Sequence, residues 1–467
     1  MVPERLRPVL AEVAPLAERF TGAGHRLYLV GGTVRDLLLG RDLDQIDFDL
    51  TTDARPDEIE AVVRPWAEAV WLQGKRFGTI GARKGRRDVE ITTHRAEAYH
   101  PDSRKPDVRF SAEVEADLSR RDFTVNAMAL ALGQGEAPQL VDPFGGAEDL
   151  ATSRLRTPLA PEVSFSDDPL RMLRAARFLA GYQLVPDAEL VDAVRALHPR
   201  LEIVSAERIR DELDKLVVVP RPEAGLRFLV DTGLAEEFLP ELPGMALEAD
   251  PVHHHKDVLA HTIAVVAKTR PERTVRLAAL FHDVGKPKTR SFGPRGKVSF
   301  HHHEVVGARM TRERMQALRY PADDIDAVSR LVELHLRFHT YKMGWTDSAV
   351  RRYVRDAGPL LEELNELTRC DCTTRNRRKA EELARRMDTL EERIEVLRSQ
   401  EELSRIRPDL DGNQVMDQLG LAPGPLVGQA LDHLLELRLE EGPLGEEEAQ
   451  RRLDAWWAAR QEAGAGG

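Results

Sequence analysis

The first 150 residues alternate short apolar runs with turns, whereas most of the remaining chain is apolar at helical spacing. Within the stretch IDFDL, three apolar residues alternate with two aspartates, Asp47 and Asp49. This period of two predicts a half-buried strand whose apolar side chains face a core, with both carboxylates on the other face. From about residue 167 onward, apolar residues recur every three or four positions, which predicts helices.

The sequence before and after this strand predicts further elements of a small mixed sheet. HRLYLVGG predicts a strand that ends in two glycines, and VRDLLL predicts a helix with Thr33 as its N-cap. The runs GTIGAR and RDVEITTHR predict two more strands. We therefore expect an α+β fold, with a mixed-sheet head followed by a mostly helical body.

Turn-forming Pro and Gly residues, together with changes in composition, predict four parts in this chain. The third part is rich in histidine, and the fourth begins with a long charged helix. The predicted parts are a head at residues 1–150, a helical neck and body at 151–243, a histidine-rich unit at 244–374 and a helical tail at 375–467.

Composition limits the class of protein. The chain has 467 residues, 42% of them hydrophobic and 31% charged, which is typical of a folded, helix-rich globular protein. No window approaches eighteen uncharged apolar residues, so we expect no membrane association and a cytoplasmic location. The two cysteines, Cys370 and Cys372, fit a reducing compartment. The net charge of −12 argues against a nonspecific nucleic-acid binder, although local basic clusters could still meet phosphates.

The paired aspartates and the glycine turn together suggest a nucleotide site. Two carboxylates held close together repel each other unless they share a proton or a divalent cation, whereas the plainer alternative is a solvated acidic strand face. In GGTVRD, the two glycines let the backbone approach a phosphate, and Arg35 adds a bidentate donor. The spacing between this turn and the aspartates favours a triphosphate cradle beside a magnesium site.

Several motifs of this chain, in their order along it, resemble the signature series of class II tRNA nucleotidyltransferases, the CCA-adding enzymes and their poly(A) polymerase relatives. The resemblance covers about the first 215 residues. The motifs are LVGGTVRD, DFD, RRDFTVNA, DPFGG and DDPLRMLRAARF.

The resemblance implies a polymerase-beta-like head that transfers nucleotides with Mg²⁺. It implies that Asp47 and Asp49 bind the metal and that Arg121 contacts the triphosphate. It also implies that Gly32 and Arg35 contact the nucleotide. Glu90, on the strand DVEITT, is a third carboxylate that could accept the proton of the attacking hydroxyl.

The motif SDDPLRMLRAARF suggests how a base could be chosen. Pro169 suits a first helical turn with Asp168 as N-cap, and a carboxylate beside the guanidinium of Arg171 offers an acceptor and a donor. Cytosine and adenine both present an amine beside an acceptor, so such a pair would accept CTP and ATP and refuse GTP and UTP. In isolation, the string could also be a solvated arginine-rich helix.

The resemblance implies that Asp168 and Arg171 select the base and that Arg174 and Arg177 complete the nucleotide pocket. One position departs from the family pattern, because Asp167 stands where we expect Glu. This departure affects fine positioning and leaves the class of activity unchanged.

The histidine-rich unit resembles the HD phosphohydrolase superfamily, in which a His, a His-Asp pair and a distant Asp bind one or two divalent metals. FHDVGK supplies the His-Asp pair. The resemblance implies a second divalent metal, such as Mn²⁺, Ni²⁺ or Mg²⁺, and water activation against phosphate esters. The implied ligands are His261, His282, Asp283 and Asp371, with His303 and His335 available for a further ion.

These features favour template-independent addition or repair of the 3′-terminal CCA of tRNA. The expected partners are CTP, ATP and the acceptor arm and 3′ end of tRNA, with no obligatory protein partner; the basic helix after Arg375 is a candidate for contacting the tRNA. Two alternatives stay open at this point. The chain could be a poly(A) polymerase that adds only A, or an HD phosphohydrolase whose head merely binds RNA.

Overall fold

The structure of the chain is a computed structural model. It describes residues 7–41, 48–98, 107–133, 138–246, 257–293, 298–340, 345–372, 377–403 and 406–465. Internal contacts divide the chain into two compact units, Met1–Pro240 and Glu241–Gly467. The finer division into four domains stays a prediction.

The first unit is built on a seven-stranded mixed sheet with the strand order β3-β4-β5-β2-β1-β8-β9. Strands β2 and β5 are parallel, whereas the other neighbouring pairs of this sheet are antiparallel. Strands β6 and β7 form a separate antiparallel hairpin. The strands are β1 Leu27–Val30, β2 Phe48–Thr52, β3 Ala69–Trp71, β4 Thr79–Lys84, β5 Arg87–Thr93, β6 Arg95–Ala98, β7 Asp107–Phe110, β8 Ala129–Leu132 and β9 Gln139–Val141.

Several helices cover one face of this sheet, a short helix packs on the other face over β1 and β8, and further helices continue beyond the sheet. A small parallel pair, β10 Arg154–Leu155 and β11 Val185–Pro186, lies among the later helices. The helices are α1 Arg7–Gly22, α2 Gly32–Leu38, α3 Pro56–Val63, α4 Val114–Ser119, α5 Gly146–Ala151, α6 Pro161–Asp167, α7 Leu170–Tyr182, α8 Ala188–Leu197, α9 Ala206–Val217 and α10 Glu223–Asp231.

The larger apolar core of the head lies on the face of the sheet that α1 and α3 cover, and a smaller cluster under α4 lies on the other face, at β1 and β8. Alternate residues of β2, β4 and β5 join the apolar residues of these two helices in one buried cluster. The residues between them must point to the opposite face, because side chains alternate along a strand. The core positions of the three strands are Phe48, Leu50, Ile80, Ala82, Val89 and Ile91.

Two predicted helix starts need correction. Helix α2 begins at Gly32 with Gly31 as its N-cap, so Thr33 is not the N-cap. Gly31 has a φ of 64°, a conformation that glycine adopts without strain, and this lets the helix start one residue early. Helix α7 begins at Leu170 with Pro169 as its N-cap. Asp168 still serves the helix end, because its carboxylate accepts from the Leu170 N–H at 3.2 Å.

The second unit is almost entirely helical, with one short hairpin, β12 Arg290–Phe292 and β13 Val298–Phe300. None of the helices in the described part of the chain is both long and apolar enough to span a bilayer. The predicted α+β fold class, with a mixed-sheet head and a mostly helical body, is confirmed. The helices are α11 Glu241–Gly244, α12 Val258–Lys268, α13 Arg273–Phe281, α14 Lys286–Thr289, α15 His303–Ala317, α16 Ala322–Leu334, α17 Arg337–Thr340, α18 Asp347–Ala357, α19 Leu361–Asp371, α20 Arg377–Gln400, α21 Gly412–Leu419, α22 Pro425–Glu441 and α23 Glu446–Ala465.

Candidate active site

Two carboxylates lie side by side on the face of the sheet away from the core. In the parallel pair β2–β5, Asp49 is the register partner of Glu90. Both side chains are exposed, whereas the residues immediately before and after each of them belong to the core. Asp47, the other predicted metal ligand, lies outside the described residues. The arrangement gives the exposed face two adjacent oxygen donors of the kind that divalent cations prefer.

The glycine turn before α2 meets this carboxylate pair. A methyl group on Gly31 would stand 2.6 Å from Nη1 of Arg121 and 3.9 Å from Oδ2 of Asp49. The guanidinium of Arg121 therefore lies over the turn and beside the carboxylate, and any side chain at Gly31 would displace it. Asp117 holds this guanidinium by accepting from its Nη2 at 3.1 Å.

Arg35, predicted to contact the nucleotide together with Gly32, is buried and engaged with protein groups. It donates to both oxygens of Asp36 at 3.0 and 2.8 Å, and to Oδ1 of Asn126 at 2.6 Å. Its guanidinium also stacks 4.2 Å from the ring centroid of Tyr182. Gly32 is adjacent, because a methyl group there would stand 3.4 Å from Nη2 of Arg35. These contacts fix Arg35 as a rigid element behind the glycine turn.

A buried polar network continues from Asn126 to the arginines of α7. Nδ2 of Asn126 donates to Asp122 at 2.9 Å, and Asp122 accepts from Nε of Arg174 at 2.8 Å. Glu212, on α9, accepts from Nε of Arg177 at 2.7 Å and lies 3.6 Å from Nη1 of Arg174. Arg174 and Arg177, both predicted in the nucleotide pocket, are thus oriented by carboxylates of the same unit.

The pKa of Asp122 reflects this network. Burial by itself would raise the pKa of its carboxyl, but the charge of Arg174 and the hydrogen bonds from Asn126 and Arg174 lower it well below the usual value. The carboxylate therefore stays ionised, which keeps the guanidinium of Arg174 in place.

The two predicted base-selecting residues lie at the start of α7. Asp168 binds Nη2 of Arg208 at 3.0 Å through its second carboxylate oxygen. Arg171 is buried and donates from Nη1 to Oγ of Ser164 at 2.8 Å, and from Nη2 to the Arg120 carbonyl. The side chains therefore have separate protein partners, and a base that bound both would replace some of these contacts.

The second unit brings together the four residues implied as metal ligands. Nε2 of His261 lies 3.3 Å from Nε2 of His282 and 2.9 Å from Oδ1 of Asp371. Nε2 of His282 lies 3.2 Å from Oδ2 of Asp283. These residues come from α12, α19 and the turn after α13, so residues more than 100 positions apart converge at one point.

His303 and His335 extend this cluster on the other side of Asp283. Their Nε2 atoms lie 3.4 and 4.0 Å from Oδ1 of that aspartate. His282, His303 and His335 each place Nδ1 within 2.6 to 2.8 Å of the backbone carbonyl three residues earlier. Such a bond fixes the ring and turns the Nε2 lone pair toward the cluster.

The cluster fits a metal ion on its own chemistry. Among the described residues, Nε2 of His303 and Nε2 of His335 are buried and have no hydrogen-bond partner. Two three-ligand sets share Asp283, namely His261 with His282 and His303 with His335. A cation between these groups would satisfy the unpaired nitrogens and the crowded carboxylates together.

The pKa shifts in this cluster have electrostatic causes. Burial would lower the pKa of His282, but the neighbouring carboxylates of Asp283 and Asp371 raise it to about 10. Burial would raise the pKa of Asp283, but the charge and hydrogen bond of His282 hold it well below its usual value. For His335, burial and the charge of His282 lower the pKa to about 3. When no metal is bound, the protonated His282 and Lys286, whose Nζ lies 2.6 Å from Oδ2 of Asp283, together balance the two carboxylates.

Several residues of the site were missed by the sequence reasoning. They are buried carboxylates and an amide that hold the arginines: Asp36, Asp117, Asp122, Asn126 and Glu212. A signal was present within RRDFTVNA, where Asp122 and Asn126 stand four positions apart, but nothing in the sequence indicated burial. Glu212 was one of several charges in SAERIRDELDKL that suited an exposed helix equally well.

Three models of known protein families match successive segments of the chain. Residues 27–156 match the model of the poly A polymerase head domain. Residues 185–245 match the model described as a probable RNA and SrmB-binding site of polymerase A, and residues 254–395 match the HD domain.

An A-adding tRNA nucleotidyltransferase of Deinococcus radiodurans is 34% identical over 442 residues, which cover 92% of this chain and 95% of that protein. The chain belongs to the tRNA nucleotidyltransferase family. The resemblance drawn from the motifs is thereby confirmed, and the chain is an enzyme that transfers nucleotides. Enzymes of this family depend on a metal ion.

Other relatives of this nucleotidyltransferase differ in their names. A CC-adding tRNA nucleotidyltransferase of Thermus thermophilus is 34% identical and covers 94% of this chain and 95% of that protein. A CCA-adding enzyme of Lactobacillus helveticus is 37% identical over 52% of this chain and 58% of that protein. Among solved structures, the Bacillus stearothermophilus CCA-adding enzyme in complex with CTP has the same fold, with a TM-score of 0.69, 23% identity, and coverage of 99% of this chain and 100% of that chain.

Proposed function

We propose that this nucleotidyltransferase completes or repairs the 3′-terminal CCA of tRNA from CTP and ATP, without a nucleic-acid template and with release of diphosphate. The observation that carries the proposal is the pairing of Asp49 with Glu90, beside the guanidinium of Arg121 on the glycine turn. Curated relatives are named for adding A, CC or CCA to tRNA, which fits this chemistry. The two unbridged cysteines fit work in the cytoplasm.

The proposed reaction joins the terminal hydroxyl of tRNA to the α-phosphorus of a nucleoside triphosphate. The new O–P bond forms as the bond to the bridging oxygen breaks, and diphosphate leaves. Asp47 and Asp49 would hold Mg²⁺, which supplies charge neutralisation at the phosphates. Glu90 accepts the hydroxyl proton, and Arg121, held by Asp117, binds the leaving phosphates.

Base choice is proposed for the start of α7. Asp168 accepts from the exocyclic amine that cytosine and adenine share, and Arg171 donates to the adjacent ring acceptor. Guanine and uracil present a carbonyl oxygen where the amine should be, so they would leave buried polar groups unpaired. Arg174 and Arg177, oriented by Asp122 and Glu212, are proposed to border the same pocket.

The test supplies purified enzyme and Mg²⁺ with three tRNAs, ending at the discriminator base, at the first C or at the second C. Each receives CTP, ATP or both, and the products are sequenced. Ordered addition of C, C and A supports the proposal. Addition of only CC, only one A or a long A tail contradicts it and assigns the narrower activity or the poly(A) alternative. Phosphate release without extension favours a phosphohydrolase with an RNA-binding head.

A second activity is proposed for the HD cluster, because its histidine nitrogens suit a divalent ion such as Mn²⁺, Ni²⁺ or Mg²⁺. We infer that His261, His282, Asp283 and Asp371 hold this ion, which supplies an activated water. The expected substrates are phosphomonoesters and cyclic phosphodiesters. Assays with 2′,3′-cyclic nucleotides and a phosphomonoester, with each metal in turn, test the proposal. It fails if the wild type releases no product, or if His282→Ala releases it equally fast.

A further inference from the structure

Trp71 lies on the same face of the head sheet as the two carboxylates. Strand pairing makes Trp71 the register partner of Gly81, Gly81 the partner of Glu90, and Glu90 the partner of Asp49. Register partners point to the same face of a sheet. A single row across β3, β4, β5 and β2 therefore carries an indole, a glycine and two carboxylates, and the core residues lie on the opposite face.

The indole does not stand upright at the end of this row but folds inward over the glycine. A methyl group on Gly81 would stand 1.8 Å from Nε1 of Trp71 and 2.4 Å from its Cδ1 and Cε2. The Cβ atoms of paired residues lie about 5 Å apart, so the indole N–H lies about one strand spacing from Glu90. Only glycine leaves room for this position, because any side chain would expel the ring.

The ring is half-buried, so part of its surface is open to a ligand. The guanidinium of Arg83 lies over the ring, with Cζ 5.9 Å from a ring centroid, and Asp88 accepts from its Nε and Nη2 at 2.6 and 2.8 Å. An aromatic ring with a neighbouring guanidinium is the combination that binds single-stranded nucleic acid.

We propose that Trp71 binds the 3′-terminal nucleoside of the tRNA while its hydroxyl reacts. This inference rests on the proposed function. The hydroxyl must meet Glu90 to lose its proton, and the base of the same nucleotide is one sugar ring away. The terminal base changes during the reaction, from the discriminator base to C and then to C again. A site that holds it at every step must tolerate different bases, and stacking does so because every base has an aromatic face.

The experiment compares Trp71→Leu and Trp71→Phe with the wild type in steady-state extension. Leucine keeps apolar cover over Gly81 without an aromatic face, whereas phenylalanine keeps the face. Leu72→Ala is the matched control, because Leu72 is the exposed neighbour just outside the strand. Melting temperatures of all variants establish that each is folded. KM is measured separately for tRNA and for the nucleotide, with CTP for tRNAs ending at the discriminator base and at C, and with ATP for the tRNA ending at CC.

Trp71→Leu is expected to raise the KM for tRNA about tenfold with each of the three primers, with the KM for CTP and for ATP within twofold of wild type. Trp71→Phe and Leu72→Ala are expected to stay within about threefold. An unchanged KM for tRNA in Trp71→Leu would overturn the proposal. So would a rise confined to the KM for the nucleotide or to one primer, or a loss that phenylalanine does not restore. Absence of any extension by the wild type would instead overturn the proposed function.

Discussion

Asp49 and Glu90 occupy the same register position on adjacent parallel strands, and the two exposed carboxylates share the face opposite the core. The distance between them in sequence is 41 residues, so the pairing of β2 with β5 alone brings them together. The guanidinium of Arg121 completes this group from the RRDFTVNA segment, where it lies over Gly31. Three separate segments thus supply two anions and one cation to a single spot, as nucleotidyl transfer requires.

Glu90→Gln tests the proposed proton acceptor. The amide keeps the size of the side chain but cannot accept a proton at neutral pH, so kcat for C addition should fall by about 10² to 10⁴ while the KM for CTP stays within threefold. Steady-state kinetics with tRNA ending at the discriminator base measure both constants.

Asp57→Asn is the control for this variant. Asp57 is exposed on α3, which covers the opposite face of the sheet. It should retain kcat within twofold. A Glu90→Gln enzyme that is as active as this control would remove Glu90 from the mechanism.

Asp117→Asn tests how Arg121 is held. The amide can accept from the guanidinium but loses the charge, so Arg121 should bind the triphosphate less well. The KM for CTP and ATP should rise about tenfold with a smaller change in kcat. Glu115→Gln, on an exposed position of the same helix, controls for loss of a carboxylate. Equal KM values in the two variants would show that Arg121 needs no support from Asp117.

Metal binding in the HD cluster can be measured without an enzymatic substrate. Added Mn²⁺ or Ni²⁺ should raise the melting temperature of the wild type by several degrees, because the ion binds only the folded cluster. His303→Ala removes one buried nitrogen and should reduce this rise. His302→Asn is the control, since His302 is exposed, has a φ of 58°, and asparagine tolerates that conformation. If metal stabilises the His303 variant as much as the control, this histidine is not a ligand.

The stability of the head should depend on pH through His94. Burial lowers the pKa of His94 from its usual value, whereas the unfolded chain titrates near pH 6.5. The unfolded state therefore binds more protons, and the free energy of unfolding should fall as the pH drops below about 6.5. His94→Phe keeps an aromatic ring against Tyr28. The free energy of unfolding of this variant should fall less steeply with decreasing pH than that of the wild type, and the two slopes should differ by up to about 1.4 kcal/mol per pH unit. Denaturant unfolding between pH 5 and 8 makes the comparison, and parallel curves would contradict it.

The sequence indicated the elements of the head well, for a physical reason. The alternation around Phe48 and Leu50 reports directly which side chains are buried, and both are 1% exposed. Glycine positions were also informative, although the start of α2 was one residue off. That error arose because Thr33 has the chemistry of a cap, whereas its hydroxyl instead accepts from the backbone N–H of Asp49 at 3.1 Å.

Partners of charged residues were harder to predict, because they depend on tertiary burial. Arg174 and Arg177 suited an exposed stripe as well as a pocket, and only the packing of α7 against α9 reveals that Glu212 orients them. The pairing of Glu90 with Asp49 likewise depends on the strand order, which composition and spacing do not fix. The family resemblance indicated the arginines of the nucleotide pocket and the metal-binding aspartates, but it did not indicate which protein side chains contact them.

The central claim is that nucleotide addition takes place at the carboxylate pair, and Asp49→Asn tests it most directly. The asparagine keeps the shape of the strand but removes the charge that would hold the metal. Single-turnover extension of tRNA by CTP, with Asp57→Asn as the folded and active control, measures the chemical step. We predict a loss of at least about 10³-fold in Asp49→Asn with the melting temperature unchanged. Extension by Asp49→Asn at the rate of the control would contradict the account.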